Sequence, residues 1–408
     1  MEPRKVRTHP RILGDPRWIA LRRCYNEQVQ ASSRRRARSE ILGLVHRGLA
    51  VEDFSLAAAR ALQRAVSFDG FCMLTIDPAT LLPTSEVVEH GLPEAALGRM
   101  AEIEVGEVDF NKFAELARAG RPAASLSEAT DGQLDLSLRQ RELRRPNGLG
   151  DELRLALVTD SGTWGGITLL RETGRNFTPA ETRFLASLSG DLAEGLRRAV
   201  LVTALAADPD DADAGLLVLA PDNSVQLGNS AAQQWLDELR GGDRDTNHLP
   251  LVVHAVARRA RVAATEGATG GATARARVAT QSGRWLLVRG SVLGEGPDAR
   301  IAVILEPAPS PELAPLIAAA YGLTDRERLV TQLVAQGRST AEIADTLHLS
   351  PYTVQDHLKS IFDKAGVSAR GELVARLFFE HYAPRLANGT PVAPTGWFAP
   401  KPTADAAR

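Results

Sequence analysis

Tyr352, Gln355, Asp356 and Lys359 lie within eight residues and fall on one side of a helix whose other side carries Val354, Leu358 and Ile361 at helical spacing. Grouped in this way, a phenol, an amide, a carboxylate and an ammonium form an outward polar face able to exchange hydrogen bonds with a partner. Ser350 and Thr353 add hydroxyls at the start of the same helix, beside unpaired backbone N–H groups, a combination suited to phosphate. Reaction chemistry has no comparable grouping: the sequence contains no Gly-x-Ser-x-Gly elbow, Walker loop, His-Glu-x-x-His helix or kinase signature. The eight histidines are scattered, and His90, His248 and His254 read as satisfied or exposed imidazoles rather than haem or metal ligands. Cys24 and Cys72 have neither Cys-x-x-Cys nor zinc-ligand spacing, and Cys72, within Phe71-Cys72-Met73-Leu74, reads as a small buried hydrophobe. No enzymatic activity, cofactor or metal is expected.

The elements that must hold this face are written into the stretch from Leu323 to Phe379 as four short helices. Thr324 with Glu327, and Ser339 with Glu342, are Ser/Thr-x-x-Glu capping boxes, while Ser350 followed by Pro351 pairs a cap with a first-turn proline. Gly337 and Gly366 mark helix ends. A helix bearing Ile343, Ala344 and Leu347, a tight His348-Leu349-Ser350 turn, and then a helix with a polar outer face make a helix-turn-helix, whose second member enters the major groove.

At these residues the segment resembles the LuxR-type, or NarL/FixJ-type, DNA-binding domain. The likeness rests on Leu323-Thr324-x-Arg326-Glu327, Ala335-x-Gly337-x-Ser339, Glu342-Ile343-Ala344, Leu349-Ser350-x-x-Thr353-Val354, His357-Leu358, Lys364-x-Gly366-Val367 and Arg370, in the family's order and spacing. The resemblance implies that Gln355, Asp356 and Lys359 read base edges, with Gln suited to adenine and Lys to guanine. It further implies that Ser350, Thr353, Lys364 and Arg370 anchor phosphates, and that the fourth helix, ending in Leu377, Phe378 and Phe379, dimerises the domain on inverted half-sites. A basic residue is common in the family where Gln355 stands here, so the family's target sequence is not carried over.

Composition agrees with a specific rather than a non-specific binder of nucleic acid. The chain has 408 residues and a net charge of -2, and residues 321 to 386 carry eight Lys/Arg against eight Asp/Glu. Affinity must therefore come from local placement of Arg338, Lys359, Lys364 and Arg370, doubled in a dimer and sensitive to salt. No apolar run approaches the roughly 18 residues needed to cross a bilayer, and the charged N-terminus has no signal core, so a cytoplasmic protein is expected.

The first 38 residues hold eleven Lys/Arg and read as a solvated helical extension. From about Arg38 to Val200 the order is helices, two strands (Phe71 to Ile76, Glu86 to His90), an irregular middle, two strands (Glu152 to Val158, Trp164 to Arg171) and a capped helix from Thr178. This order resembles a GAF domain, carried by Phe71-Cys72-Met73-Leu74, Gly165-Gly166-Ile167-Thr168-Leu169 and Phe177-Thr178-Pro179-x-Glu181. Asn111-Lys112-Phe113-Ala114-Glu115 reads as a solvated helix start, not as a cyclic-nucleotide signature. After the acidic break at residues 208 to 213, two strands, two helices and three strands (Arg275 to Thr280, Arg284 to Leu293, Arg300 to Glu306) resemble a PAS domain, with Asn229 before Ala231-Ala232 leading into its first helix. Pro307-Ala308-Pro309-Ser310-Pro311 reads as a stiff extended linker, and the Pro-rich tail beyond Pro384 as disordered.

The expected fold is thus multidomain α+β: a basic helical arm (1–37), GAF-like (38–205) and PAS-like (214–306) antiparallel-sheet domains, a linker (307–320), an all-α four-helix LuxR-type helix-turn-helix domain (321–384) and a tail (385–408). No phospho-accepting receiver precedes residue 307, which points to a one-component regulator that senses directly. The partners expected are double-stranded DNA, a second copy of the chain, a small-molecule effector and RNA polymerase, with no membrane. The rival reading is a sensory scaffold or antagonist whose helix-turn-helix makes protein contacts.

Overall fold

The computed structural model describes residues 16–205, 213–240, 248–266, 274–296, 298–309, 312, 313, 316 and 321–374. Two five-stranded antiparallel sheets with the same internal topology form the front of the chain. In the first, β1 (Gly70–Ile76), β2 (Pro83–Glu89), β3 (Ala123–Ser125), β4 (Leu149–Thr159) and β5 (Gly162–Glu172) are ordered β2-β1-β5-β4-β3. In the second, β6 (Gly215–Leu219), β7 (Val225–Gly228), β8 (Arg275–Ala279), β9 (Trp285–Leu293) and β10 (Arg300–Pro307) are ordered β7-β6-β10-β9-β8. Each begins with a hairpin, leaves through helices, returns on the far edge and ends in the centre. Along the chain, strands and helices follow one another as expected from the sequence for GAF-like and PAS-like domains, with β3 as an addition.

The first sheet has two unlike faces because alternate residues of a strand point to opposite sides. Leu153, Leu155 and Leu157 of β4 join an apolar core with α1 (Pro16–Val45), α2 (Val51–Gln63) and α7 (Ser189–Leu205). A single helix, α1, runs across the 37/38 junction expected between the basic arm and the first sheet domain. The intervening residues Glu152, Arg154 and Ala156 face the other way, toward α3 (Leu97–Gly106), α4 (Phe113–Arg118) and a segment that includes a π-helical turn at Gln140–Arg144. After β3, α5 (Leu126–Ala129) is capped by Ser125; α6 (Pro179–Ala186) carries the complete Thr178/Glu181 capping box read from the sequence.

The stretch beginning at Asn111 differs from its reading as a solvated helix start. Phe113 is buried, its ring occupying the space that a Cβ on Gly166 would fill at 2.3 Å, and Asn111 Nδ2 donates to the Ser125 carbonyl at 3.2 Å. The absence of a side chain at Gly166 therefore lets an aromatic ring lie against the middle of the sheet.

In the second domain α8 (Ser230–Arg240) and α9 (Leu251–Glu266) cover one face of the sheet around Trp235 and Val252. Helix α3 packs on α9, with the His254 ring 3.1 Å from where a Cβ on Gly98 would stand. A buried ion pair closes the seam between the two domains. Arg277 places Nη2 2.6 Å from Asp77 Oδ1 and Nε 3.0 Å from Oδ2, while its backbone N–H donates to Oδ2 at 2.8 Å. Past Pro309 the chain is not a bare extended spacer. Arg277 Nη1 donates to the Glu312 carbonyl at 2.8 Å, and Leu313 and Leu316 pack among Trp164, Val200 and Trp285. The tail, Leu377 and Phe378 lie outside the described residues.

Candidate nucleic-acid interface

Besides the start of a fourth helix at residues 370–374, the described part of the C-terminal unit holds three helices: α10 (Asp325–Ala335), α11 (Thr340–Leu347) and α12 (Pro351–Ala365). Each starts where a side chain satisfies a backbone N–H that has no partner within the helix. The Thr324 and Ser339 hydroxyls accept from Glu327 and Glu342 N–H, and both glutamates accept in return, at 2.7 Å, from the N–H of the capping residue. At the head of α12 the Ser350 hydroxyl accepts from Thr353 N–H at 3.0 Å, with Pro351 in the first turn.

The turn between α11 and α12 is fixed by backbone geometry. His348 adopts the left-handed conformation (φ 54°, ψ 46°), and Leu349 N–H closes onto the Ala344 carbonyl at 2.9 Å. Arg326 on α10 donates to the Leu347 carbonyl at 2.6 Å, tying the first helix to the turn. Helix α12 ends at Gly366, also left-handed, where Val367 N–H bonds to Phe362 O at 3.0 Å. Inside the unit, Val354, Leu358 and Ile361 are buried with Val330, Val334 and Ile343.

One buried acid sets the angle between α10 and α12. Glu327 caps its own helix and also receives Ser360 Oγ and Lys364 Nζ, each at 2.6 Å. Burial alone would raise its pKa, but these donors, led by Lys364, hold the carboxyl down at about 2. The sequence reveals Glu327 as a capping residue; its ties to residues 33 and 37 positions away appear only in the fold.

The outward face of α12 is free. Gln355, Asp356 and Lys359 are exposed and have no partner among the described residues, and Tyr352 is 73% exposed beside them. These four are brought together on successive turns of one helix. Ser350 and Thr353 stand at its start, where their hydroxyls lie 2.8 Å apart. Arg338 is exposed and ion-paired with Glu342 at 3.5 Å; Arg370 donates to the Arg338 carbonyl, so these two basic residues meet. Lys364 differs from the others in being turned onto Glu327, with its side chain 34% exposed. Tyr352, a large exposed aromatic on this face, is legible from its spacing, although the resemblance assigns it no contact with DNA.

Residues 322–377 match the family described as "Bacterial regulatory proteins, luxR family". The spore germination protein GerE of Bacillus subtilis is 42% identical over 55 residues, which are 14% of this chain and 74% of GerE. The transcriptional regulatory protein UhpA of Escherichia coli is 48% identical over 56 residues, 14% of this chain but only 29% of UhpA, so most of that relative is not spanned. The crystal structure of E. coli SdiA covers 85% of this chain and 97% of its own at 12% identity, with a TM-score of 0.29 that carries no argument about the front half.

Proposed function

Because the chain belongs to the luxR family of bacterial regulatory proteins, we propose that it binds double-stranded DNA through residues 321–384 and regulates transcription under the control of its own GAF-like and PAS-like domains. The observation that carries this is the outward face of α12, where Tyr352, Gln355, Asp356 and Lys359 are exposed on a helix held from behind by Glu327. With α12 in the major groove, Gln355 pairs with an adenine edge, Lys359 donates to guanine O6 or N7, and Asp356 accepts from a cytosine amino group while repelling phosphate. The capped start of α12 and the Arg338–Arg370 pair meet the backbone on either side. Lys364 contributes chiefly by holding Glu327, and so the angle of α12. Balanced charge makes a dimer on inverted half-sites the source of affinity, joined through Leu377 and Phe378.

Genomic pull-down followed by gel shift at varied salt is the test. Enrichment of palindromic sites, with Lys359→Ala and Gln355→Ala each weakening retardation about ten- to a hundredfold, is the expected result. Unchanged retardation by both variants removes the base-reading assignment. No enrichment even at low salt favours the rival scaffold, in which the same face binds protein.

A further inference from the structure

On the charged side of the first sheet lies a cavity of about 70 Å³, walled by β1, β2, β5 and α3, with Leu251 of α9 closing it from the second domain. That volume takes about five water-sized groups. Its walls are of two kinds. Leu74, Ile76, Met100 and Leu170 make one part apolar, whereas Arg144 and Arg154 bring guanidinium groups to another.

The arginines belong to a buried cluster whose hydrogen bonds do not close. Arg139, with no exposed surface, donates from Nη2 to Glu152 Oε1 at 2.7 Å and sets Nη1 3.0 Å from Asp109 Oδ2. Arg154 donates to Glu104 Oε2 at 2.8 Å and to the Asn111 carbonyl at 3.1 Å, and lies over the Phe113 ring. Arg144 is left with a single ion-pair contact, Nη1 to Glu152 Oε2 at 2.5 Å, although Glu152 already serves Arg139. Arg144 Nη1 and Glu152 Oε2 meet as an ion pair without a well-aligned hydrogen bond, Nε of Arg144 and Nε of Arg154 have no acceptor, and both arginines are only 3% exposed. Buried guanidinium N–H groups without acceptors are costly, and they are rare unless something else supplies the acceptor. Burial pulls the Arg144 pKa down to about 10, which still leaves it charged at neutral pH.

We propose that this cavity binds a small carboxylic acid as its anion, the carboxylate accepting from Arg144 and Arg154 and a short hydrocarbon body lying against Leu74, Ile76, Met100 and Leu170. The proposal rests on the sensor role proposed for this domain and names the class of its effector. A single negative charge fits an incompletely paired guanidinium, whereas a doubly charged phosphate would meet Glu86, Glu104 and Glu152 around the same space. The Cys72 thiol in the wall is pushed up by burial and is neutral, so it does not compete for the arginines. Arg144 itself closes the π-helical turn at Gln140–Arg144, a local irregularity found frequently at functional sites. Because α3 and Leu251 both border the cavity, a ligand there touches the seam between the two domains.

The experiment is calorimetric titration of the full-length chain with straight-chain carboxylates from acetate to hexanoate, with their amides and with inorganic phosphate. At least one carboxylate should bind, its amide and phosphate should not, and Arg144→Met should weaken binding about ten- to a hundredfold. If that variant does not fold, Met100→Trp fills the apolar end while keeping every charge and should abolish binding. The proposal is overturned if no carboxylate binds better than its amide, if phosphate competes equally, or if the folded variants bind unchanged. Gel shift on the same samples separates the two readings: DNA binding without carboxylate binding removes only the effector, and the converse removes only the DNA reader.

Discussion

Two buried glutamates, Glu152 under the first sheet and Glu327 behind α12, organise their surroundings in opposite ways. Both carboxyls are held at about 2 against burial, the first by Arg139, Arg144 and Arg154 and the second by Lys364, Ser360 and Thr324. Around Glu327 the hydrogen bonds close: a cap, a hydroxyl and an ammonium share its two oxygens. Around Glu152 they do not close, and guanidinium N–H groups are left over beside a cavity. A satisfied acid fixes geometry, as the proposed reading helix requires; an ill-aligned pairing leaves buried donors for a further acceptor, as the proposed ligand pocket requires.

The largest break of this comparison is Glu152→Ala, which strands Arg139 and Arg144 in the interior and should cost about 3–5 kcal/mol. Hydrogen exchange followed by mass spectrometry should register the loss across the first domain and leave residues 321–374 protected as before. Next, Gly166→Val should cost about 1–3 kcal/mol, because its side chain would collide with the Phe113 ring and displace the support beneath Arg154. Glu327→Gln, which keeps an acceptor but loses the charge, should cost about 1–2 kcal/mol by thermal unfolding, confined to the C-terminal unit. Lys359→Ala touches neither network and should shift stability by less than about 0.5 kcal/mol, so a weaker gel shift in that variant would reflect the missing ammonium and not an unfolded domain.

Acid sharpens the same contrast. Both glutamates have folded pKa values below the unfolded one, so their stabilisation is complete above pH 4.5 and is lost as pH falls toward about 2. Acid titration of the parent should weaken both regions across that window. The Glu327→Gln variant should remove this glutamate's share of the pH dependence from residues 321–374 alone.

The two regions also differ in how readily the sequence reveals them. In the helix-turn-helix the decisive signals are three residues apart, Thr324 to Glu327, Ser339 to Glu342 and Ser350 to Thr353, so each cap found in the structure is already visible in the sequence. The cavity cluster joins Glu104, Asp109, Arg139, Arg144, Glu152 and Arg154 from separate segments, and no local spacing connects them. Residues 91–148 look irregular because their order comes from buried ion pairs and from a ring on a glycine, not from apolar periodicity. Glu152 and Arg154, two apart and alternating with Leu153, Leu155 and Leu157, are the available clue: charges on one face of an interior strand need partners inside.

The seating of Leu316 against Trp164 and Val200 has a further consequence. Leu316 and Leu323, the first buried residue of the C-terminal unit, are seven peptide steps apart, a reach of at most about 25 Å. A reader on so short a leash cannot search for its half-site independently of the body it hangs from. In the proposed dimer, the distance between the two readers is then a ruler laid down by the two sheet domains, and the permitted gap between half-sites becomes a property of the front of the chain.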